Sequence, residues 1–424
     1  MSKLNKPRLV AVAAGCGMLA AAAASPLPEL TAEKRQSHLE ELFRHLDSAR
    51  FGTEYAAALR NSDMQTLIRT VARYFRERPQ DPGSAETGRG YNADRAERAV
   101  RGEMLEVNIP WTFPDGRIRY LFDPTAIHGP VNHEWLWQLN RHSFWNDMAN
   151  AYAATGDEKY ARAFNIQLRD WIAQTDCPPN WNAPGSAWRT IEAGLRLMGS
   201  WPAAFDRFRH SPEFTDENLC LMLASMHRQA VHLLEHPTGG NWLLMEMNGV
   251  YTFATLFPEF SDAEMFRRKS ARTLSDALRG QILPDGMHDE LSPDYHSVVF
   301  TCGSQMFRLA QLHHRTGELP PDFAPLLEKA AEAYLALATP GFTQPRTNDC
   351  FTLRTDTLLG KASRLFPERR DFLWGASRRA AGMPPQGETA SRFLPWAGFA
   401  AMRSDWGAEA AYLCFDVGSL GMGH

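Results

Sequence analysis

From about residue 30 to residue 340, apolar residues recur at three- and four-residue spacing, broken by short turns rich in Gly, Pro and Asp. That period belongs to amphipathic helices, because a helix places residues i, i+3, i+4 and i+7 on one face. Residues 143–154 (SFWNDMANAYAA) show it clearly. Thr155, Gly156 and Asp157 then stop one helix and start the next, which is predicted over 158–172. The unit recurs: 188–208 pairs with 216–234, 242–256 with 262–278, and 293–316 with 324–338. Antiparallel helix pairs about 40 to 50 residues apart predict a mainly α array. Periodicity alone leaves open whether the array is an open superhelix or an incomplete (α/α) toroid. After Pro340 the pattern changes. Residues 398–406 and 411–416 read as two strands joined by a turn around Gly407, and two strands alone make no stable sheet. The expected organisation is therefore a helical domain over 25–340, then a linker and the truncated start of a β-domain over 341–424.

The bulk numbers fit that reading. Hydrophobic residues at 44% and charged residues at 22% are ordinary for a chain that buries a sizeable core. A net charge of −4 argues against nucleic acid as the main partner. Arginine far outnumbers lysine, and its planar fork suits carboxylate and sulfate, although genomic bias would produce the same excess. Twelve tryptophans are many; a pyranose ring can lie on a flat indole, but most of the twelve are expected in helix packing. The six scattered cysteines offer neither a disulfide framework nor a zinc-ligand spacing. Residues 1–24 read as an export signal: Lys3, Lys6 and Arg8 precede an apolar, Ala-rich stretch and a small-residue cleavage point. That stretch is too short for a convincing membrane span, so no integral membrane partner is expected, and the location implied is periplasmic or secreted. Lipid attachment at Cys16 is the weaker alternative, since Ala13 stands where Leu is usual.

Several segments, in order, resemble the heparinase II/III superfamily of polysaccharide lyases. They are His133-Glu-Trp-Leu-Trp-Gln-Leu-Asn-Arg-His142, Trp188-Arg-Thr-Ile-Glu-Ala-Gly-Leu-Arg196, Gly240-Asn-Trp-Leu-Leu-Met-Glu-Met-Asn-Gly249 and Gln281-Ile-Leu-Pro-Asp-Gly-Met-His-Asp-Glu-Leu-Ser-Pro-Asp-Tyr-His296. Phe415-Asp-Val-Gly-Ser-Leu-Gly-Met-Gly-His424 follows. The resemblance implies an incomplete (α/α) toroid followed by the beginning of an antiparallel β-sandwich. It also implies cleavage of a uronic-acid polysaccharide, heparan sulfate-like or related, by β-elimination, with the acidic polysaccharide as partner.

β-Elimination needs a group that stabilises charge developing on the uronate carboxylate, a base for the C5 proton and an acid for the departing O4. By resemblance, Asn241 is the carboxylate-binding group; read by residue type alone it is a helix N-cap. Trp242 follows it, where some relatives have His. Tyr295 is assigned proton transfer by the same resemblance, and as a base it would need nearby cations or donors. His424 resembles the family's first sandwich histidine, an acid/base group; a metal-site reading of it stays open, because in some relatives sandwich histidines bind a structural metal. No cofactor is expected within this chain. Supporting or substrate-binding candidates are His296, Glu246, Glu192, Arg189 and His133, with Arg196 also a subsite candidate and His288, Asp289 and Glu290 shaping the cleft. A toroidal glycoside hydrolase using two of Asp285, Asp289, Asp294 and Glu246 is one rival reading. A non-catalytic carbohydrate-binding fragment is the other.

Overall fold

The computed structural model describes residues 26–424 apart from 89, 128, 420 and 422–424. The expected export segment with Cys16, and the terminal His424, lie outside the described residues. The described residues form two compact units, one of those up to 237 together with 252–266, the other of 238–251 and those from 267 onward.

The first unit holds α1 (Ala32–His45), α2 (Gly52–Arg60), α3 (Met64–Glu77), α4 (Ala93–Val100), a hairpin of β1 (Glu103–Glu106) and β2 (Ile109–Thr112), α5 (His133–Asn140), α6 (Ser143–Thr155), α7 (Glu158–Gln174), α8 (Thr190–Leu195), α9 (Trp201–Phe208) and α10 (Asp216–Glu235). The helix starts are written locally. Thr31, Asp63, Asn92, Asn132, Asp157 and Thr215 each accept a backbone N–H of the first turn that would otherwise lack a partner. Gly156 ends α6 at φ 70°.

Between α8 and α9 the chain makes a π-helical turn over Arg196–Ser200. Arg196 is fully buried there, and its guanidinium donates to Gln229 Oε1 (2.7 Å) and to the carbonyls of Asn140 (2.8 Å) and Ala187 (3.0 Å) over the Trp171 ring. Burial pushes its pKa down to about 9. Arg196 is a core cation, which overturns its reading as a polysaccharide subsite. Six of the twelve tryptophans are buried, four of them (Trp135, Trp145, Trp171, Trp201) completely or within 1% of it, and their N–H groups bond Ile109, Gln167, Asn140 and His142. Such pairing removes the cost of an unsatisfied buried donor.

The second unit takes part of α11 (Gly240–Leu256) and most of α12 (Ala263–Gln281), then α13 (Pro293–Leu312), α14 (Phe323–Leu337), α15 (Thr355–Leu365), α16 (Arg370–Ala376), β3 (Arg392–Leu394), β4 (Phe399–Arg403) and β5 (Tyr412–Asp416). The three strands form one antiparallel sheet in the order β3-β4-β5. Its inner face packs Leu394, Phe399 and Ala401 against Ala333, Ala336 and Leu337 of α14, together with Met287 and Leu291 from the loop before α13. Arg403 donates to the carbonyls of Ala336 (2.7 Å) and Ala338 (3.1 Å), and the Tyr412 hydroxyl to that of Leu337 (2.8 Å). The sheet thereby supplies donors to the last carbonyls of α14, which have no partner within their helix. On the outer face Phe393, Met402, Leu413 and Phe415 stand 45–60% exposed. An apolar face of this kind is what a second sheet covers in a sandwich.

The fold class is mainly α, as the periodicity predicts, with a small antiparallel sheet near the C-terminus. Two features depart from the expectation: the β1–β2 hairpin lies inside the stretch read as helical, and α15 and α16 occupy part of the stretch read as linker. The described cysteines are all free. No described helix is long and apolar enough to cross a membrane.

His38, His232 and His296 are buried, and burial lowers the pKa of each to about 4. The unfolded chain binds these protons first, near its ordinary value of about 6.5, so stability is complete above that pH and is lost as pH falls toward 4. Each histidine contributes a slope of about 1.4 kcal/mol per pH unit within the window. Scanning calorimetry between pH 7.5 and pH 5 should show a falling melting temperature below pH 6.5, because the three histidines outweigh the opposing carboxyl of Glu106, whose pKa burial raises to about 7; a flat profile contradicts the assignment.

Candidate active site

In the second unit, the motif residues gather around one buried carboxylate. Asn241 lies in the first turn of α11, and its Nδ2 donates to Glu290 Oε1 (2.8 Å) and Oε2 (3.1 Å). Both residues are buried. The side chain thus points across to the loop before α13, and does not fold back as an N-cap. Glu246, one turn further along α11 and fully buried, accepts the Thr238 hydroxyl (2.6 Å) and backbone N–H (2.9 Å). It fastens the turn that leads into Asn241. This fits a supporting role and leaves its carboxylate committed to the fold, against a sugar-binding role.

The loop carrying Glu290 is stitched from both sides. Gln281 donates to the Gly240 carbonyl (3.1 Å), and its Oε1 lies 3.1 Å from His288 Nε2. His288 Nδ1 accepts the Glu290 backbone N–H (3.4 Å), which leaves Nε2 facing Gln281 and Asp289. Gly286 turns the loop at φ 92°, where a Cβ would stand 2.2 Å from the Lys329 carbonyl oxygen. Leu291 follows Glu290 in the left-handed region (φ 59°), a conformation that costs a leucine about 1–3 kcal/mol and persists only where its surroundings enforce it. The enforcement is visible: the Leu291 side chain is in the helix–sheet core and its carbonyl accepts Asn348 Nδ2 (2.9 Å).

Tyr295 sits on the first turn of α13, and its hydroxyl donates to Asp349 Oδ2 (3.3 Å). The same loop accepts Ser292 Oγ at the Asp349 carbonyl (2.8 Å) and gives the Phe351 N–H to Asp294 (2.5 Å). Burial first, then Asp349, Glu290 and Asp294, raise the Tyr295 pKa above its ordinary value. These surroundings hold the phenol protonated, opposite to what a tyrosinate base needs. His296, the next residue, turns into the core: it is 1% exposed, bonds the Ala330 carbonyl through Nε2 (2.9 Å) and packs on Tyr334. Burial brings its pKa down to about 4. His296 therefore reaches no substrate, correcting its place among the candidates. The described course of the C-terminal segment ends tight against this loop, since a Cβ on Gly421 would stand 2.0 Å from the Glu290 carbonyl oxygen. His424 is outside the described residues.

In the first unit, His133, Arg189 and Glu192 collect around Trp137. The Arg189 guanidinium lies 3.6 Å from the Trp137 ring centroid, and the His133 ring is stacked on the same indole at 6.1 Å. Glu192 is fully buried and accepts Arg141 Nη2 (3.2 Å), with Arg189 Nη1 at 3.5 Å. Burial raises the Glu192 pKa and lowers that of Arg189. Glu192 and Arg189, at 4% exposure, lie too deep for direct polysaccharide contact, and both are corrected to supports beneath Trp137. His133 is half-buried at the patch edge and remains reachable, as does Trp137. Sequence reading did not single out Trp137 or Asp349. The first is one indole in a motif of two, and the second reaches Tyr295 from 54 residues away.

Comparison with known proteins places these residues in a family context. A model of the heparinase II/III N-terminus matches residues 42–374. A heparin-sulfate lyase of Bacteroides stercoris is 28% identical over 313 residues, covering 69% of this chain and 46% of that protein. One of Pedobacter heparinus is 29% identical over 297 residues, covering 69% and 45%. The chain thus spans a little under half the length of these curated relatives. Among solved structures, a heparan sulfate lyase from Pedobacter heparinus superposes with a TM-score of 0.71 at 26% identity, covering 91% of this chain and 62% of that one. A heparinase III structure gives 0.80 at 21% identity, covering 89% and 61%. The toroid-type helical fold is shared with these structures.

The Asn241–Glu290 contact yields a stability test. Asn241→Ala removes a donor from a buried carboxylate and should cost about 1–3 kcal/mol in urea denaturation at pH 7. Asn241→Asp puts two carboxylates face to face and should cost more, with the excess shrinking as pH falls to 5. Equal stability of the two variants at both pH values contradicts the contact.

Proposed function

The chain belongs to the heparinase II/III family, and we propose on that footing that it carries the toroid part of a polysaccharide lyase that cleaves an acidic, uronate-containing glycosaminoglycan of the heparan sulfate type by β-elimination. The observation that carries the reading is the set of Asn241, Glu290 and Tyr295: a buried amide on a carboxylate, beside a phenol that the same carboxylate helps to keep protonated. In the reaction proposed, the C5 proton passes to a base, its electron pair forms the C4–C5 double bond, the C4–O4 bond breaks, and O4 takes up a proton. Asn241 is assigned to the uronate carboxylate, where its N–H stabilises the charge that develops after C5 deprotonation. Glu290 orients that amide. Tyr295 is assigned as the proton donor to O4, the role that suits a phenol held neutral by Asp349, Glu290 and Asp294. His424 is assigned as the base, a group that titrates near neutrality; Gly421, three residues before it, packs on Glu290. Trp137 and His133 are assigned to sugar binding. No cofactor is needed for this chemistry, and a periplasmic or secreted location follows from the proposed export signal.

A hydrolase would need two free carboxylates across the scissile bond. Of its candidates, Asp285 accepts the N–H groups of Trp396 (2.8 Å) and Ala397 (2.9 Å), Asp294 that of Phe351, and Glu246 both donors of Thr238. These three carboxylates serve the fold, and Asp289 alone does not supply the pair.

The test is incubation of the protein with a panel of uronate polysaccharides, following ultraviolet absorbance of the unsaturated uronate alongside new reducing ends. Both should rise together on heparan sulfate-type chains. Reducing ends without absorbance would replace the lyase by a hydrolase, and binding without either signal would leave a carbohydrate-binding protein. In the lyase case Tyr295→Phe should lower kcat by about 10²–10⁴-fold, with KM little changed.

A further inference from the structure

Away from the residues assigned to lyase chemistry, the first unit gathers two imidazoles and a carboxylate from three distant parts of the chain. His45 ends α1, His227 lies in the middle of α10, and Asp262 immediately precedes α12. His227 Nε2 is 2.8 Å and His45 Nδ1 3.4 Å from Asp262 Oδ2, and the three ligand atoms all lie within 4.8 Å of one another. From this geometry we infer that His45, His227 and Asp262 form a binding site for a divalent transition-metal ion, zinc by the character of its ligands.

Four observations support the assignment. First, the donors are of the right type: two imidazoles and one carboxylate are a common zinc set, leaving a fourth position for water. Second, the spacing is close to what the ion requires. Bonds of about 2.0 Å in tetrahedral geometry separate ligand atoms by about 3.3 Å. The His45–Asp262 separation is already there, the His227–Asp262 separation needs to open by about half an ångström, and the two imidazole nitrogens, within 4.8 Å of each other, need at most to draw together onto the ion. Third, Asp262 Oδ1 is buried and makes no hydrogen bond, so the carboxylate retains an acceptor beyond its contact with His227. Fourth, the two rings stand 4.3 Å apart, close enough for one ion to meet both.

The site is also held in place. The Ser261 N–H (2.8 Å) and hydroxyl (3.0 Å) donate to the His45 carbonyl, the Asp47 N–H donates to that of Glu259 (2.8 Å), and Leu46 pairs with Phe260 as an isolated bridge. His227 is stacked against Phe260 and Phe266. The His45 side chain is 40% exposed and that of Asp262 20%, which gives an ion access from solvent and room for its water. A bound ion would fasten the end of α1 to α10 and to the turn before α12, a structural staple within this unit.

The competing reading is a plain histidine–aspartate hydrogen bond with a second histidine alongside. Dialysis of the whole protein against a chelator, then titration with zinc in competition with a chromophoric chelator, separates the two. Wild type should take up one zinc with a Kd below about 1 μM, a looser limit than structural zinc sites reach, and zinc should raise its melting temperature reversibly with EDTA. His45→Ala changes a half-exposed residue and should fold, yet lose the tight zinc and the thermal shift. Cobalt(II) should give visible bands in wild type that His45→Ala lacks. No zinc uptake by wild type at micromolar concentration, or equal uptake and equal thermal shift in His45→Ala, overturns the site.

Discussion

A buried carboxylate must be met by donors, and that requirement organises the second unit around Glu290. Its two oxygens take the Asn241 amide, which fixes where that amide points. Glu290 is in turn placed by a loop with little freedom, anchored by Gln281 and His288 on one side and by Asn348 at Leu291 on the other. Because that carboxylate also acts on Tyr295, one buried charge couples the group assigned to the uronate with the group assigned to the leaving oxygen.

The sheet at the C-terminal end belongs to the same construction. Met287 and Leu291 flank the segment that bears Glu290 and lie in the core formed between α14 and the inner face of β3 and β4. The left-handed backbone at Leu291 is held by that packing. The sheet is locked to α14 by Arg403 and Tyr412, which complete the hydrogen bonding of the helix's last carbonyls. Packing remote from Asn241 and Tyr295 thus becomes precision in the proposed site.

Much of the helical architecture was legible because a 3.6-residue period and the capping residues survive in sequence. Residues 158–172 were read as a helix, and Glu158–Gln174 is one, capped by Asp157. The β1–β2 hairpin was not legible: its two-residue turn puts Val107 and Asn108 at positive φ, where Asn-Gly is the usual signal and a β-branched residue the least expected. The motifs name Asn241, Tyr295 and Glu290, which the fold brings near one another, but sequence does not say which way a side chain points. His296 is adjacent to Tyr295 yet lies in the core, and Arg189, Glu192 and Arg196 share a motif yet are all buried. Contacts closed by the tertiary fold, such as Asp349 on Tyr295 or His45, His227 and Asp262 together, leave no spacing for a sequence to show.

The central claim is that carboxylates around Tyr295 hold it as a protonated phenol that acts as the acid. The measurement that tests this most directly is the pH dependence of kcat/KM on a heparan sulfate-type substrate for wild type and Asp349→Asn. Asp349 raises the Tyr295 pKa, so removing its charge should lower that pKa and move the alkaline limb of the profile to lower pH. An alkaline limb that stays in place, or activity that rises as the phenol deprotonates, would contradict the assignment and return Tyr295 to the role of base.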